Sequence, residues 1–272
     1  MVTLEQIQEG LVVPLDKPRQ WTSFQAVNKV KAVLRNSKFE IRKLKVGHAG
    51  TLDPLATGLL LVCLGKATKT IPQLQDGDKV YTGTMVLGAT TPCYDMERAI
   101  DRYYPFEHIS PTLLDEKRKL FEGEIMQVPP MFSAVKVDGQ RAYEYARINE
   151  EGGKANEELK ARPVKIYSFE ITAFREGRTC PTSQTCQTCQ TSQTNPTKNL
   201  YKNPLGEVPP HLPQVDFRIL CGKGTYIRSI ARDFGLALGS GAFLASLRRE
   251  QIGPYTLDQA ITIDQIESFL LG

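Results

Sequence analysis

No stretch of this 272-residue chain approaches the about 20 consecutive apolar residues of a membrane-crossing helix. Met1-Val2-Thr3-Leu4-Glu5 lacks the basic start and apolar stretch of a secretion signal, so the expected compartment is the cytoplasm, with no membrane partner. Cysteine is sparse: Cys63, Cys93, Cys180, Cys186, Cys189 and Cys221 are expected to be reduced thiols there. Cys63 and Cys221 lie in apolar, strand-like contexts and read as small core residues. Cys186-Gln187-Thr188-Cys189 has a ligand-pair spacing, with Cys180 and His211 nearby, but no second clean pair completes a zinc set. No metal is therefore expected.

Acids are scarce in one region. Residues 17 to 69 hold eleven basic side chains (Lys17, Arg19, Lys29, Lys31, Arg35, Lys38, Arg42, Lys43, Lys45, Lys66, Lys69) against Glu40 and Asp53. That local charge of +9 leaves −5 for the rest of a chain whose total is +4. A solvated basic face would explain it, and so would a footprint for a phosphate backbone. With 41% hydrophobic and 24% charged residues, the chain is long enough to bury a large core and still line a cleft.

Asp53 sits in Gly47-His48-Ala49-Gly50-Thr51-Leu52-Asp53-Pro54-Leu55-Ala56-Thr57-Gly58, directly before the uncharged run Gly58–Gly65. That run reads as a buried strand. A carboxylate on a turn against such an element tends to face a cleft, because burying it unpaired costs on the order of several kcal/mol. Upstream, Leu11–Leu15 reads as a short strand and Asp16-Lys17-Pro18 as a turn. Thr22 and Ser23 are good caps for a helix over about 24–35, where Phe24, Val27, Val30 and Leu34 recur at helical spacing. Lys79–Gly88 reads as a strand that carries Tyr81. Val164–Thr172 and Val215–Cys221 alternate apolar and polar residues, as half-buried strands do. In Cys221–Gly235, Thr225 can cap a helix that buries Ile227, Ile230, Ala231 and Phe234. Arg228 falls in its first turn, where the helix dipole disfavours a cation, so a specific partner is expected.

Taken together, the Asp53 stretch, Asp16-Lys17-Pro18 with Thr22-Ser23, Gly222-Lys223-Gly224-Thr225-Tyr226-Ile227-Arg228 and Ala245-Ser246-Leu247-Arg248-Arg249 resemble the TruB family of tRNA pseudouridine synthases. The family usually places a glycine where this chain has Arg19-Gln20-Trp21. The resemblance implies an α+β pseudouridine synthase fold, with a mixed, mostly antiparallel central sheet, flanking helices and an RNA-binding cleft. It implies conversion of uridine-55 in the T arm of tRNA to pseudouridine, with no cofactor. By the same resemblance Asp53 is the nucleophile, Arg228 its partner and Tyr81 the ring that packs on the target base. His48 holds the flipped-out base, and Lys17, Lys136, Arg141, Tyr143, Lys223 and Tyr226 bind substrate. The expected partner is tRNA and the expected state a monomer.

One catalytic domain over 1–272 is expected. Within it, 124–152 is an RNA-clamping insertion, entered through Pro129-Pro130 and mixing basic and aromatic residues. Residues 177–214, rich in Thr, Gln, Ser and Asn, read as a disordered loop. The C-terminal RNA-binding domain of many relatives is expected to be absent. Three rival readings exist. A tRNA-binding and folding chaperone would share the basic region but would not require Asp53, Tyr81 and Arg228. A guide-RNA-dependent synthase would carry a further C-terminal domain, and an unrelated aspartate hydrolase leaves the Lys223–Arg232 stretch unexplained.

Overall fold

The computed structural model describes residues 2–36, 44–131, 136–137, 140–141, 159–177 and 207–272. Thirteen strands occur among them: β1 (Leu11–Lys17), β2 (Val46–Ala49), β3 (Thr57–Leu64), β4 (Lys79–Leu87), β5 (Ala89–Thr90), β6 (Arg102–Tyr103), β7 (Gly123–Gln127), β8 (Lys136–Val137), β9 (Gln140–Arg141), β10 (Arg162–Arg175), β11 (Gln214–Cys221), β12 (Ala242–Ile252) and β13 (Tyr255–Thr256). The helices are α1 (Leu4–Gly10), α2 (Ser23–Asn36), α3 (Ile71–Asp76), α4 (Pro111–Arg118), α5 (Ile227–Ala237) and α6 (Ile266–Leu271). None is long and apolar enough to cross a membrane. The main sheet orders its strands β1-β3-β12-β4-β11-β10-β7, with β2 also on β3 and β13 on β12.

The chain forms two compact units. The first comprises Met1–Thr82, Leu220–Lys223 and Leu247–Gly272; the second comprises Gly83–Ile219 and Gly224–Ser246.

In the first unit β3 is the central element. It pairs antiparallel with β1 (Lys17 opposite Gly58) and with β2 (His48 opposite Val62). It pairs parallel with β12, placing Arg249 beside Gly58. Every residue from Gly58 to Leu64 is buried, as a strand covered on both faces requires. One core joins Val13, Leu15, Leu60, Val62 and Leu64 to Ala26, Val27, Val30 and Leu34 of α2. That helix starts with a capping box: the Thr22 N–H donates to Gln25 Oε1 (2.7 Å), and the Gln25 N–H donates to Thr22 Oγ1 (3.1 Å).

In the second unit α5 buries Ile227, Ile230, Ala231 and Phe234. Phe234 meets Phe169 of β10 and Phe121 edge-on, with centroids 5.2 and 5.7 Å apart. Two expectations need correction here. The N-cap of α5 is Tyr226 rather than Thr225, without a side-chain capping bond. And β10 does not alternate throughout: Val164 and Ile166 point inward, then the phase slips by one so that Phe169 is buried. The register with β7 ends at Ile166, where the slip begins.

Candidate active site

The loop between β2 and β3 carries Asp53, and its shape follows from its sequence. The Ala56 N–H donates to the Asp53 carbonyl (3.1 Å), closing a four-residue turn with Asp first and Pro second, the positions those residues favour. Three buried side chains hold this loop by its backbone. Ser23, the first residue of α2, accepts the Leu52 N–H (2.9 Å) and donates to the Leu52 carbonyl (3.2 Å). Lys17, at the end of β1, donates from Nζ to the carbonyls of Trp21 (2.7 Å), Pro18 (3.0 Å) and Pro54 (3.4 Å). Arg249 of β12 donates to the carbonyls of Leu59 (2.8 Å), Gly50 (3.0 Å) and Thr51 (3.5 Å). The Gln20 N–H adds a fourth anchor, on Pro54 (2.8 Å). Gln20 itself takes φ 68°, a left-handed conformation that glycine adopts freely and glutamine does not. The glycine-free turn Arg19-Gln20-Trp21 therefore carries backbone strain.

With the loop's neighbours buried, Asp53 is half-buried and Thr51 and Pro54 are exposed. Tyr81 of β4 packs against the core that includes Leu52 and Ala56. Burial pushes the Tyr81 phenol pKa up, with the Arg249 guanidinium opposing that shift through its charge and a hydrogen bond. His48, half-buried on β2, has its pKa lowered by burial and then by the charge of Arg249, against a backbone hydrogen bond with Gly50. It is thus held neutral at pH 7. Burial also brings the Lys17 ammonium from 10.5 down to about 8, opposed by the charge of Asp53. Lys17 is fully buried, so it adds nothing to the surface charge of the basic region. Arg19, Lys29, Arg35, Lys45, Lys66 and Lys69 are exposed and do.

Arg228 belongs to the second unit. It is 4% exposed, donates from Nη1 to the Cys93 carbonyl (3.3 Å), and its Nε lies 3.9 Å from Asp95 Oδ2. Asp95, itself 6% exposed, accepts the Glu97 N–H on Oδ1 (2.9 Å). One turn on, Arg232 donates to the Val128 carbonyl (3.1 Å) and stands over the Tyr94 ring at 5.2 Å. Gln127 fixes Tyr226, accepting its N–H (2.8 Å) and donating to its carbonyl (3.2 Å).

The first unit thus brings together Asp53, His48, Tyr81 and Lys17, while Arg228 and Tyr226 stand in the second. Lys223 is exposed in the first unit and pairs with Asp76 at 2.9 Å. Lys136 and Arg141 face each other in the register of β8 and β9. Tyr143, and 178–206 of the Thr/Gln-rich segment, lie outside the described residues. Asp95, Ser23 and the loop-holding role of Arg249 were not legible from sequence. Their partners are 133, 29 and up to 199 positions away, so no local spacing announces them. Among the described residues, no group of three or more His, Cys, Asp or Glu side chains could hold a metal ion.

The N-terminal domain model of the TruB family pseudouridylate synthases matches residues 36–192, and the tRNA pseudouridylate synthase B C-terminal domain model matches 228–271. The chain is 46% identical over 269 residues to tRNA pseudouridine synthase B of Flavobacterium johnsoniae, covering 99% of this chain and 100% of that protein. It belongs to the TruB family of pseudouridylate synthases. It is also 43% identical over 261 residues to the Parabacteroides distasonis protein of the same name, covering 96% and 93% of the two chains. Among solved structures, a Cbf5–Nop10–Gar1 complex matches with a TM-score of 0.60 at 28% identity. That match covers 97% of this chain and 55% of the solved one. The fold is accordingly the pseudouridine synthase fold, as expected.

Proposed function

We propose that this chain converts uridine-55 in the T arm of tRNA to pseudouridine, with Asp53 as the nucleophile. The observation that supports it most is the Asp53 loop. Its backbone is anchored at Gly50, Thr51, Leu52, Pro54 and Leu59 by three buried side chains, while the carboxylate stays half-exposed. A group held so firmly and left open suits attack on a substrate that comes to it. The reaction breaks the bond between N1 of the base and C1′ of the sugar and makes one between C5 and C1′. C5 loses its proton and N1 gains one, so the product is an isomer and nothing is oxidised. A carboxylate that forms and releases a covalent bond divides this exchange into two easier steps.

The target base must leave its stack, at a cost of roughly a few kcal/mol. In this reading Tyr81 packs on the everted base, and the neutral His48 fills the space beside it in the RNA. Arg228 presents a planar fork to the carboxylate and fixes its orientation. The exposed cations of residues 19–69 and the 124–152 segment, with Lys136, Arg141 and Tyr143, grip phosphates and bases. Lys223 and Tyr226 add contacts, while Lys17 serves from beneath the loop. The test is to incubate the protein with an unmodified tRNA transcript and map pseudouridine at single-nucleotide resolution. One new pseudouridine at position 55 is expected. Binding without any pseudouridine would replace this reading with that of a tRNA-binding chaperone.

A further inference from the structure

Among the described residues, Arg249 is the largest of the fully buried side chains, and it lies among backbone carbonyls. It touches both ends of the loop that carries Asp53. At the near end its guanidinium binds the carbonyls of Gly50 (3.0 Å) and Thr51 (3.5 Å). At the far end its Nε binds Leu59 (2.8 Å), and its own backbone lies in parallel register beside Gly58. The packing there is tight. A β-carbon on Gly58, whose φ is +98°, would stand 2.4 Å from the Arg249 carbonyl oxygen. A β-carbon on Gly50, at φ +83°, would stand 3.4 Å from Nη1. The charge of the guanidinium also acts on the Tyr81 phenol, opposing the rise in its pKa. An apolar side chain would fill this place in the core but bind none of these carbonyls; a planar fork with five N–H donors binds three at once.

We infer that Arg249 is a positioning residue: by fixing Gly50, Thr51 and Leu59 from one rigid group, it sets where the Asp53 carboxylate stands for the reaction. This rests on Asp53 being the nucleophile. Arg249 itself touches no substrate in this scheme. Its loss moves the reacting group without removing it, so the chemical step suffers and the grip on tRNA does not.

The test compares Arg249→Lys, Arg249→Gln and Arg249→Met with the parent in single-turnover reactions, using saturating enzyme and an unmodified tRNA transcript. A smaller folded fraction lowers the amplitude of such a reaction but not its rate constant, so a purely structural role leaves the rate constant unmoved. Circular dichroism establishes folding, and filter binding gives the tRNA Kd. The expected result is a rate constant about 10²-fold lower in folded Arg249→Lys, with Kd within about threefold of the parent. A folded variant that reacts within about threefold of the parent rate overturns the inference, as does a loss confined to Kd. Failure of all three variants to fold overturns it too, because Arg249 would then serve the fold as a whole. A parent that makes no pseudouridine, or an Asp53→Asn variant as active as the parent, marks instead the failure of the reading beneath it.

Discussion

Arg249 and Arg228 are both buried arginines, at 2% and 4% exposure, yet their surroundings differ in kind. Arg249 sits among main-chain oxygens: Gly50, Thr51 and Leu59. Arg228 donates to the Cys93 carbonyl and faces a buried carboxylate, that of Asp95. A guanidinium that binds carbonyls orders the backbone around it, and its partners never titrate. One that faces a carboxylate balances charge, and its geometry depends on another side chain. The first arrangement suits placing a loop; the second suits holding a cation ready to engage an anion. Desolvating either is costly, so each must be compensated where it stands.

The sharpest test of this contrast is the side chain that the placed loop carries. Asp53→Asn leaves every backbone anchor intact, so the fold and the tRNA Kd should stay near those of the parent. Turnover should fall by at least about 10³-fold, because a carboxamide is no nucleophile. Pseudouridine formation near the parent rate would remove Asp53 from the chemistry. A loss of folding would show that the loop depends on the carboxylate and not on its carbonyl anchors.

The second arrangement is probed by Arg228→Lys. The charge beside Asp95 remains but the fork is lost, and a point charge cannot meet a carboxylate at two donors. A fall of about 10²-fold in turnover, with tRNA affinity little changed, is expected from mispositioning of that order. Steady-state kinetics that return parent values would show that position 228 supplies charge alone.

These two regions also divide what could be read from sequence. The uncharged run after Asp53 announced β3, and the helical spacing from Phe24 to Leu34 announced α2, since burial on one element leaves a periodic trace. The position of Arg228 against the helix dipole called for a specific partner, but not for Asp95, which lies on a distant loop. The count of basic residues placed Lys17 on a charged surface, whereas it is buried under three carbonyls; a lysine's type says nothing of which way its long stem turns. The slip in β10 after Ile166 is written in the sequence, where the apolar residues pass from even positions (Val164, Ile166) to odd ones (Phe169, Ile171), and reading Val164–Thr172 as one unbroken alternation overlooks it. Motifs pointed to the candidate loop, but the side chains that hold its backbone act over long separations and leave no local pattern.

A smaller effect is expected at Ser23, which anchors the loop with a hydroxyl in place of a cation. Ser23→Ala leaves the buried Leu52 N–H without its acceptor, which should lower the unfolding free energy by about 1–2 kcal/mol in urea titration. Turnover should fall by about tenfold, because Arg249 and Lys17 keep most of the loop in place. An unchanged stability would mean that the loop closes without this anchor. A loss of turnover as large as that of Asp53→Asn would mean that the anchors do not share the load.

Lys17 offers the finest distinction, because it is the one titratable anchor on a loop otherwise held by groups whose charge is fixed. Its pKa falls from 10.5 to about 8 on folding, chiefly through burial. Below pH 8 both the folded and the unfolded chain carry the ammonium, and the fold bears the full cost of burying it. Between about 8 and 10.5 the unfolded chain binds the extra proton, so stability rises with pH across that window. Lys17→Met removes the titration and takes the ammonium donor away from the carbonyls of Pro18, Trp21 and Pro54. Relative to this variant, the parent should therefore gain stability as pH is raised from 8 to 10.5 and hold a constant difference from pH 6 to 7.5. Urea midpoints for both proteins at half-unit intervals would measure it. A difference that shrinks above pH 8 would reverse the sign, and would mean that the three carbonyl bonds outweigh desolvation and keep the ammonium charged, as the fixed charge of Arg249 is kept.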